Sequence, residues 1–325
     1  MRILLWHVHG SWTTSFVQGH HDYVLPVTPD RGPDGLGRAR TWSWPASVVE
    51  VPYDRLAEEQ VDVVVLQRPH EIALAERWTG RRPGRDVPAV YVEHNTPSGD
   101  VPCTRHPIAD QADIPVVHVT SFNDLFWDCG RAPTEVVEHG IVDPGHRWTG
   151  ERARAAVVVN DPLRRGRTVG TDLLRGLAER VPLDVFGMRV DGLAEHLGVP
   201  ADRLRSFEDL PQERMHRELA RRAVYVHTSR WTSLGLSLLE AMHLGMPVVA
   251  LATTEAVEAV PPQAGVLTTS PAGLAVAAER FLRDPVLARR TGDAARTAAL
   301  GRYGLQRFLA DWDALLAARV PLAAR

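Results

Sequence analysis

At 325 residues the chain is long enough for two domains of ordinary size, each with its own core. A composition of 44% hydrophobic and 24% charged residues with a formal net charge of −3 is that of a soluble globular protein, and it carries no electrostatic footprint for nucleic acid. The longest apolar runs are strand-sized, so no transmembrane helix is expected.

In chain order, the first half alternates short apolar runs with loops or helical connections. Strands are expected at 3–9, 23–27, 47–51, 61–66, 89–93, 116–120 and 135–138. Several are continuous β-branched runs, as parallel strands buried on both faces require. The turn-rich stretch Asp143-Pro-Gly-His-Arg-Trp-Thr-Gly150 reads as a linker. Beyond it, strands are expected at 155–160, 183–186, 223–227, 247–250 and 265–268. Helices are expected at 171–180, 212–222, 236–244 and 272–283, with two more at 285–300 and 304–318 closing the chain. The last presents Leu305, Phe308, Leu309, Trp312, Leu315 and Leu316 on one face. Both halves therefore read as doubly wound α/β domains with a cleft between them, the first spanning 1–148 and the second 149–302.

Two compositional facts narrow the chemistry. All 37 basic residues are arginine, which excludes Schiff-base chemistry, a pyridoxal-phosphate lysine and a lysine-dependent phosphate loop. An anion clamp here must be built from Arg and backbone N–H groups, and the planar Arg fork suits phosphate oxygens. Cys103 and Cys129 are not in metal or redox spacing, and the N-terminus enters a strand without a signal-peptide cleavage region, so the expected location is cytoplasmic. His7, His9, His20 and His21 lack acidic or cysteine partners at ligand spacing, and no metal site is expected.

The most informative stretch is Ser233-Leu-Gly-Leu-Ser-Leu-Leu-Glu240-Ala-Met-His-Leu-Gly245-Met-Pro-Val-Val-Ala250. It reads as a tight loop, an amphipathic helix, a glycine stop and a buried strand. Such a unit aims a helix N-terminus, with its free N–H groups and positive dipole end, at an anion. Glu240 is the only acid on that helix. Phosphate donors at the mouth with a carboxylate acceptor behind suit a nucleoside diphosphate and its ribose.

With its neighbours included, this stretch resembles the nucleotide-sugar half of the GT-B glycosyltransferases, in particular the retaining glycosyltransferase family 4 ("glycosyl transferases group 1"). The resemblance implies a GT-B fold whose last helix crosses back to the first domain, so that 303–325 packs there. It implies that Glu240 accepts hydrogen bonds from the ribose hydroxyls, and that the loop of Ser233, Leu234, Gly235 and Leu236 turns its backbone amides to the sugar and distal phosphate. The family's first motif Glu, which contacts the donor sugar, falls at Thr232; Thr232, Ser233 or Glu255 are its candidate replacements.

A second segment, Val157-Val-Val-Asn-Asp-Pro-Leu-Arg164-Arg165-Gly-Arg167-Thr-Val-Gly170, matches the turn where the family has an Arg and then a Lys before Gly. Both cations neutralise the donor pyrophosphate. Arg164 takes the Arg position and Val169 the Lys position, so Arg167 or Arg165 is the expected replacement. A third, Val90-Tyr-Val-Glu93-His94-Asn95-Thr96-Pro97, resembles the family turn whose His lies beside the reacting sugar, which gives His94 a catalytic role and Asn95 a place on the acceptor side. Gly140, in Glu138-His139-Gly140-Ile-Val-Asp143, is placed near the donor phosphate, with His139 in place of the usual Asn. The first loop, containing His9, Ser11 and Trp12, is read as acceptor side.

The expected protein is a metal-independent retaining glycosyltransferase that takes a nucleoside-diphosphate sugar as donor substrate, with no other cofactor, and an acceptor the sequence does not identify. Two other readings stand beside it: an impaired nucleotide-sugar-binding scaffold or regulator, suggested by Thr232 and the missing lysine, and a nucleotide-sugar epimerase of GT-B type.

Overall fold

The computed structural model describes residues 1–320 and divides into two compact units. One comprises Met1–Val142 together with residues 305–320, the other Asp143–Gly304; residues 321–325 of the expected returning segment lie outside the described residues. The sequence reading put these changeovers after residues 148 and 302. Trp148 belongs to the second unit because its indole N–H donates to the Arg222 carbonyl at 2.9 Å, and Thr149 N–H donates to Ala220 at 2.8 Å.

The N-terminal unit is built on a seven-stranded parallel sheet: β1 (Arg2–Leu5), β2 (Asp22–Val27), β3 (Val48–Pro52), β4 (Val63–Leu66), β5 (Ala89–Glu93), β6 (Val116–His118) and β7 (Thr134–Val136). Their spatial order is β3-β2-β1-β4-β5-β6-β7, with Leu4 in register with Val24 on one side and Val64 on the other. The order therefore reverses between β1 and β4, where open α/β sheets form a crevice at the strand carboxyl ends. The stretch expected as the first loop, with Trp12 on the acceptor side, is not a loop. Gly10–Phe16 is a helix, and Trp12 is a core residue at 1% exposure rather than an open loop side chain. Its ring stacks on Phe16 at 4.8 Å and meets Phe308 and Trp312 of the Leu305–Arg319 helix edge-on. Those aromatic contacts, rather than helix propensity, hold the returning helix to this unit.

The C-terminal unit has six parallel strands, β8 (Arg152–Val158), β9 (Leu183–Gly187), β10 (Leu204–Glu208), β11 (Arg222–His227), β12 (Val248–Leu251) and β13 (Gly265–Thr268), in the order β10-β9-β8-β11-β12-β13. β10 was not anticipated. It is an edge strand with Arg205, Ser206 and Glu208 among its residues, so it lacks the apolar run that marks the others. The expected helix at 212–222 ends at Leu219, because Arg222 already belongs to β11. Arg222 is fully buried, its guanidinium about 5 Å from the centroids of both rings of the stacked pair Phe186 and Phe207, and paired with Asp184 at 2.7 Å. The closing helices start at side-chain caps: Ser270 accepts from Gly273 N–H, and Asp284 accepts from Leu287 N–H ahead of Pro285. The returning helix, the two parallel sheets and their covering helices make a GT-B fold.

Candidate functional site

In the C-terminal unit the strand order reverses between β8 and β11, and the two motif segments leave the sheet at those two carboxyl ends. β11 runs into a loop of small polar residues, with Thr228, Ser229 and Ser233 buried, and then into the helix Leu236–His243. Gly235 is the helix N-cap and has no side chain with which to cap that end. The first N–H groups of a helix have no partner within it, the condition for binding an anion at a helix mouth. Leu234 is buried, while Gly235 and Leu236 are half-buried. Glu240 is 4% exposed, and its Oε2 lies 3.4 Å from Nε2 of His216.

The arginine turn packs directly against this loop. Arg230 and Trp231 donate their N–H groups to the Thr168 carbonyl at 2.9 and 3.2 Å, and the Thr228 hydroxyl donates to the Val169 carbonyl at 2.7 Å. Gly170 makes the approach possible. It sits at φ +77°, and a β-carbon there would overlap the Thr228 carbonyl oxygen. Val169 is buried at 2% exposure, so the position aligned with the family's lysine points into the core.

The three arginines are not equivalent. Arg164 is exposed and ion-paired with Asp161, and Arg167 is exposed and paired with Asp172 at 3.0 Å. Arg230 takes both oxygens of Asp172, at 2.6 and 2.9 Å. Arg165 is half-buried, and among the described residues its guanidinium makes no hydrogen bond or ion pair. Burial and then Arg164 pull its pKa below the usual arginine range, the signature of a cation short of counter-charge.

Behind the helix mouth lies a polar group that no motif marks. The Tyr225 hydroxyl lies 2.9 Å from the Ser237 hydroxyl and 3.4 Å from Nδ1 of His227. Burial pushes the His227 imidazole down to about 4, so it stands neutral beneath Gly235. Tyr225 and His227 share one face of β11 because they are two apart on a strand that ends at the motif loop; that spacing was the available signal. Thr232 is half-buried in the loop. Glu255 donates its backbone N–H to the Ser233 carbonyl at 3.3 Å, but its buried carboxylate is paired with Arg302 at 3.2 Å, which leaves it poorly placed to replace the family's first Glu.

In the N-terminal unit, three histidines from separate segments meet. His9 follows β1, His94 follows β5, and His139 lies beyond β7. The His9 and His94 rings are 4.0 Å apart, and the Trp12 ring meets His94 edge-on at 5.1 Å. His139 is buried at 3% exposure and interacts electrostatically with both. Burial and the charge of Arg68 bring His9 down to about 4; burial, His9 and Arg307 bring His139 down to about 3; burial and the two other imidazoles hold His94 well below its ordinary range. All three are neutral at pH 7. Nε2 of His94 and Nδ1 of His139 are buried without a hydrogen-bond partner among the described residues. The turn itself is fixed from behind: Glu93 accepts from Asn95 N–H at 2.6 Å and lies 3.0 Å from His106 Nε2. Asn95 is exposed, and its carbonyl accepts from the Trp127 indole at 2.8 Å. Ser11 is half-buried on the first helix.

Gly140 has a packing role. A β-carbon on it would overlap Cβ of Phe308 on the returning helix, and His139 beside it receives a hydrogen bond on its carbonyl from Arg307. Elsewhere, a cavity of about 610 Å³ lined by Trp148, Phe281 and Arg289 opens near the starts of β8 and β11, and none of the motif residues lines it. Among the described residues no group of three or more His, Cys, Asp or Glu side chains is arranged to hold a metal ion, and no helix is long and apolar enough to cross a membrane.

The fold, with a strand-order switch point in each of its two sheets, defines a GT-B protein. Residues 178–298 match the family model described as glycosyl transferases group 1, a span that takes in Glu240 and its loop and begins beyond the arginine turn. No match is found among curated proteins. Among solved structures the chain is similar to a sucrose-phosphate synthase from Thermosynechococcus elongatus, at 16% identity and TM-score 0.71 over 97% of this chain and 98% of that one. It is also similar to HepE from Anabaena in complex with UDP-glucose, at 15% identity and TM-score 0.71 over 98% and 100%. A glycosyltransferase from Rickettsia africae matches at 14% identity and TM-score 0.66 over 99% of each chain.

Proposed function

We propose that the protein transfers a glycosyl group from a nucleoside-diphosphate sugar to an acceptor, with retention of anomeric configuration. The observation that carries this reading is the glycine N-cap at the mouth of the Leu236–His243 helix, with Glu240 behind it and, on the turn packed against its loop, Arg165, unpaired among the described residues. Backbone N–H groups and Arg165 take the diphosphate, and Glu240 takes the ribose. As the bond from the anomeric carbon to the phosphate oxygen breaks, charge gathers on the departing diphosphate, where fixed donors stabilise it. The acceptor hydroxyl attacks on the same face and its proton passes to the leaving phosphate oxygen. His94, neutral and carrying a buried unpartnered nitrogen, serves a sugar hydroxyl, and His9 and Asn95 serve the acceptor side.

UDP-glucose is the first donor to try, because the Anabaena neighbour was crystallised with it. The diphosphate is met here by arginine and backbone groups, so turnover is expected to survive EDTA. The two free cysteines, one buried and one exposed, are in keeping with a cytoplasmic setting. Thermal-shift and turnover measurements with UDP-, GDP-, ADP- and TDP-sugars test the donor; an inverted product, read by NMR of the anomeric proton, overturns the retaining mechanism. Stabilisation by nucleotide is expected to disappear in Glu240→Ala. The half-buried Thr232, standing where the family has its sugar-contacting Glu, favours one second reading, a nucleotide-sugar-binding regulator. Complete absence of donor hydrolysis and transfer, with nucleotide binding intact, would select it.

A further inference from the structure

The turn that carries His94 and Asn95 is gripped through the backbone of Asn95. Its N–H donates to Oε1 of Glu93 at 2.6 Å, and its carbonyl accepts from the Trp127 indole at 2.8 Å. One side chain touches both of these holders. The Nε2 atom of His106 lies 3.0 Å from Oε2 of Glu93, and its ring meets Trp127 edge-on at 5.0 Å. We propose that His106 is the positioning residue for the His94–Asn95 turn, acting through Glu93 and Trp127, and that it thereby sets the turnover rate rather than nucleotide affinity. This rests on the reading of His94 as the group that serves a sugar hydroxyl.

The direction of each hydrogen bond follows from the neighbours. Ile108 donates its backbone N–H to Nδ1 of His106 at 3.3 Å, so the ring proton stands on Nε2 and is donated to Glu93. Glu93 is thus engaged at both oxygens, by the histidine ring on one and by the turn on the other. Both side chains are buried, so loss of either donor leaves an acceptor without water to replace it. The His106 ring is itself fixed. Tyr91, two residues before Glu93 and on the same face of β5, meets it edge-on at 5.2 Å. The His106 backbone N–H donates to the Asp128 carbonyl at 2.9 Å, which ties it to the residue after Trp127. Side chains that act on a reacting group through its turn matter because a displacement of about 1 Å costs catalysis heavily while leaving distant contacts intact.

Two readouts on the whole protein test this. Hydrogen exchange of the Asn95 amide, followed by NMR, reports the turn. Nucleotide release from UDP-, GDP-, ADP- and TDP-sugars reports turnover, with affinity for the matching diphosphate measured by calorimetry. His106→Asn, whose amide stops short of Glu93, should speed Asn95 exchange and lower kcat, each by about tenfold, with nucleotide affinity within about twofold of wild type. His106→Gln, whose amide N–H reaches the position of Nε2, should restore both. Trp127→Phe leaves the Glu93–His106 bond in place and should lower kcat about threefold, the worth of one neutral hydrogen bond. If His106→Asn does not fold, Trp127→Phe decides, and wild-type kcat there overturns the proposal. A merely structural histidine would lower stability in both His106 variants and leave kcat of the folded protein unchanged. If exchange or kcat is unaltered in His106→Asn while His94→Ala abolishes turnover, the role of His106 is overturned and the reading of His94 stands. If His94→Ala turns over as the wild type does, or the wild type releases no nucleotide, that reading itself fails, and this inference with it.

Discussion

Gly235 lies against the imidazole of His227 so closely that a β-carbon at 235 would overlap Cε1 and stand 3.1 Å from Nε2. The glycine at the helix mouth is therefore demanded from below, by a buried neutral ring, before any ligand arrives. Gly235→Ala is expected to destabilise the protein by about 1–3 kcal/mol through overpacking and to weaken nucleotide binding. Adding His227→Ala should recover part of both losses. Urea unfolding of the two single variants and the double variant measures the coupling; simple additivity would mean that the two residues do not press on each other.

Arg165 should matter more to the diphosphate than either neighbour. Arg164 and Arg167 already serve Asp161 and Asp172, whereas Arg165 has no such partner among the described residues. Arg165→Ala is expected to weaken nucleoside-diphosphate binding by about tenfold or more, the worth of a charge-assisted hydrogen bond. Arg164→Ala and Arg167→Ala should cost less than about threefold, as paired and exposed arginines do. Calorimetric titration with UDP ranks the three. A larger loss in Arg164→Ala would reverse the assignment.

Gly140→Ala separates packing from ligand contact. The added methyl would press on Phe308, so a stability loss of about 1–3 kcal/mol is expected, with nucleotide affinity unchanged. A fall in affinity at unchanged stability would restore Gly140 to the donor phosphate.

Stability should fall with acid in a defined window. His9 and His139 stand at about 4 and about 3 when folded, against an ordinary value of 6.5. The unfolded chain therefore binds more protons below about pH 6.5, and folding stability declines from there. The decline ends only near pH 4 for His9 and pH 3 for His139, where the folded protein is protonated as well. Each group contributes up to about 1.4 kcal/mol per pH unit. Unfolding free energies at pH 7, 6 and 5 should show this slope, and His139→Gln should flatten it. An unchanged slope in that variant would mean that His139 is not held neutral by burial.

The sequence by itself determined the two parallel sheets, the existence of the last helix and the helix carrying Glu240, because each depends on local signals; the return of the last helix to the first unit was implied only by the family resemblance. Buried parallel strands need β-branched runs, helices need caps and an apolar stripe, and the loop before Glu240 needs small residues and glycine. β10 escaped because an edge strand carries half a pattern, and the first helix escaped because its apolar residues, Trp12 and Phe16, face an aromatic partner far along the chain. Only the tertiary structure decided which of the three arginines is unpaired, that Val169 points inward, that Gly140 answers to Phe308, and that His9, His94 and His139 converge. Counter-charges, close approaches and burial arise between segments distant in sequence, and the free energy of a charge or a polar atom depends on those neighbours more than on its own identity.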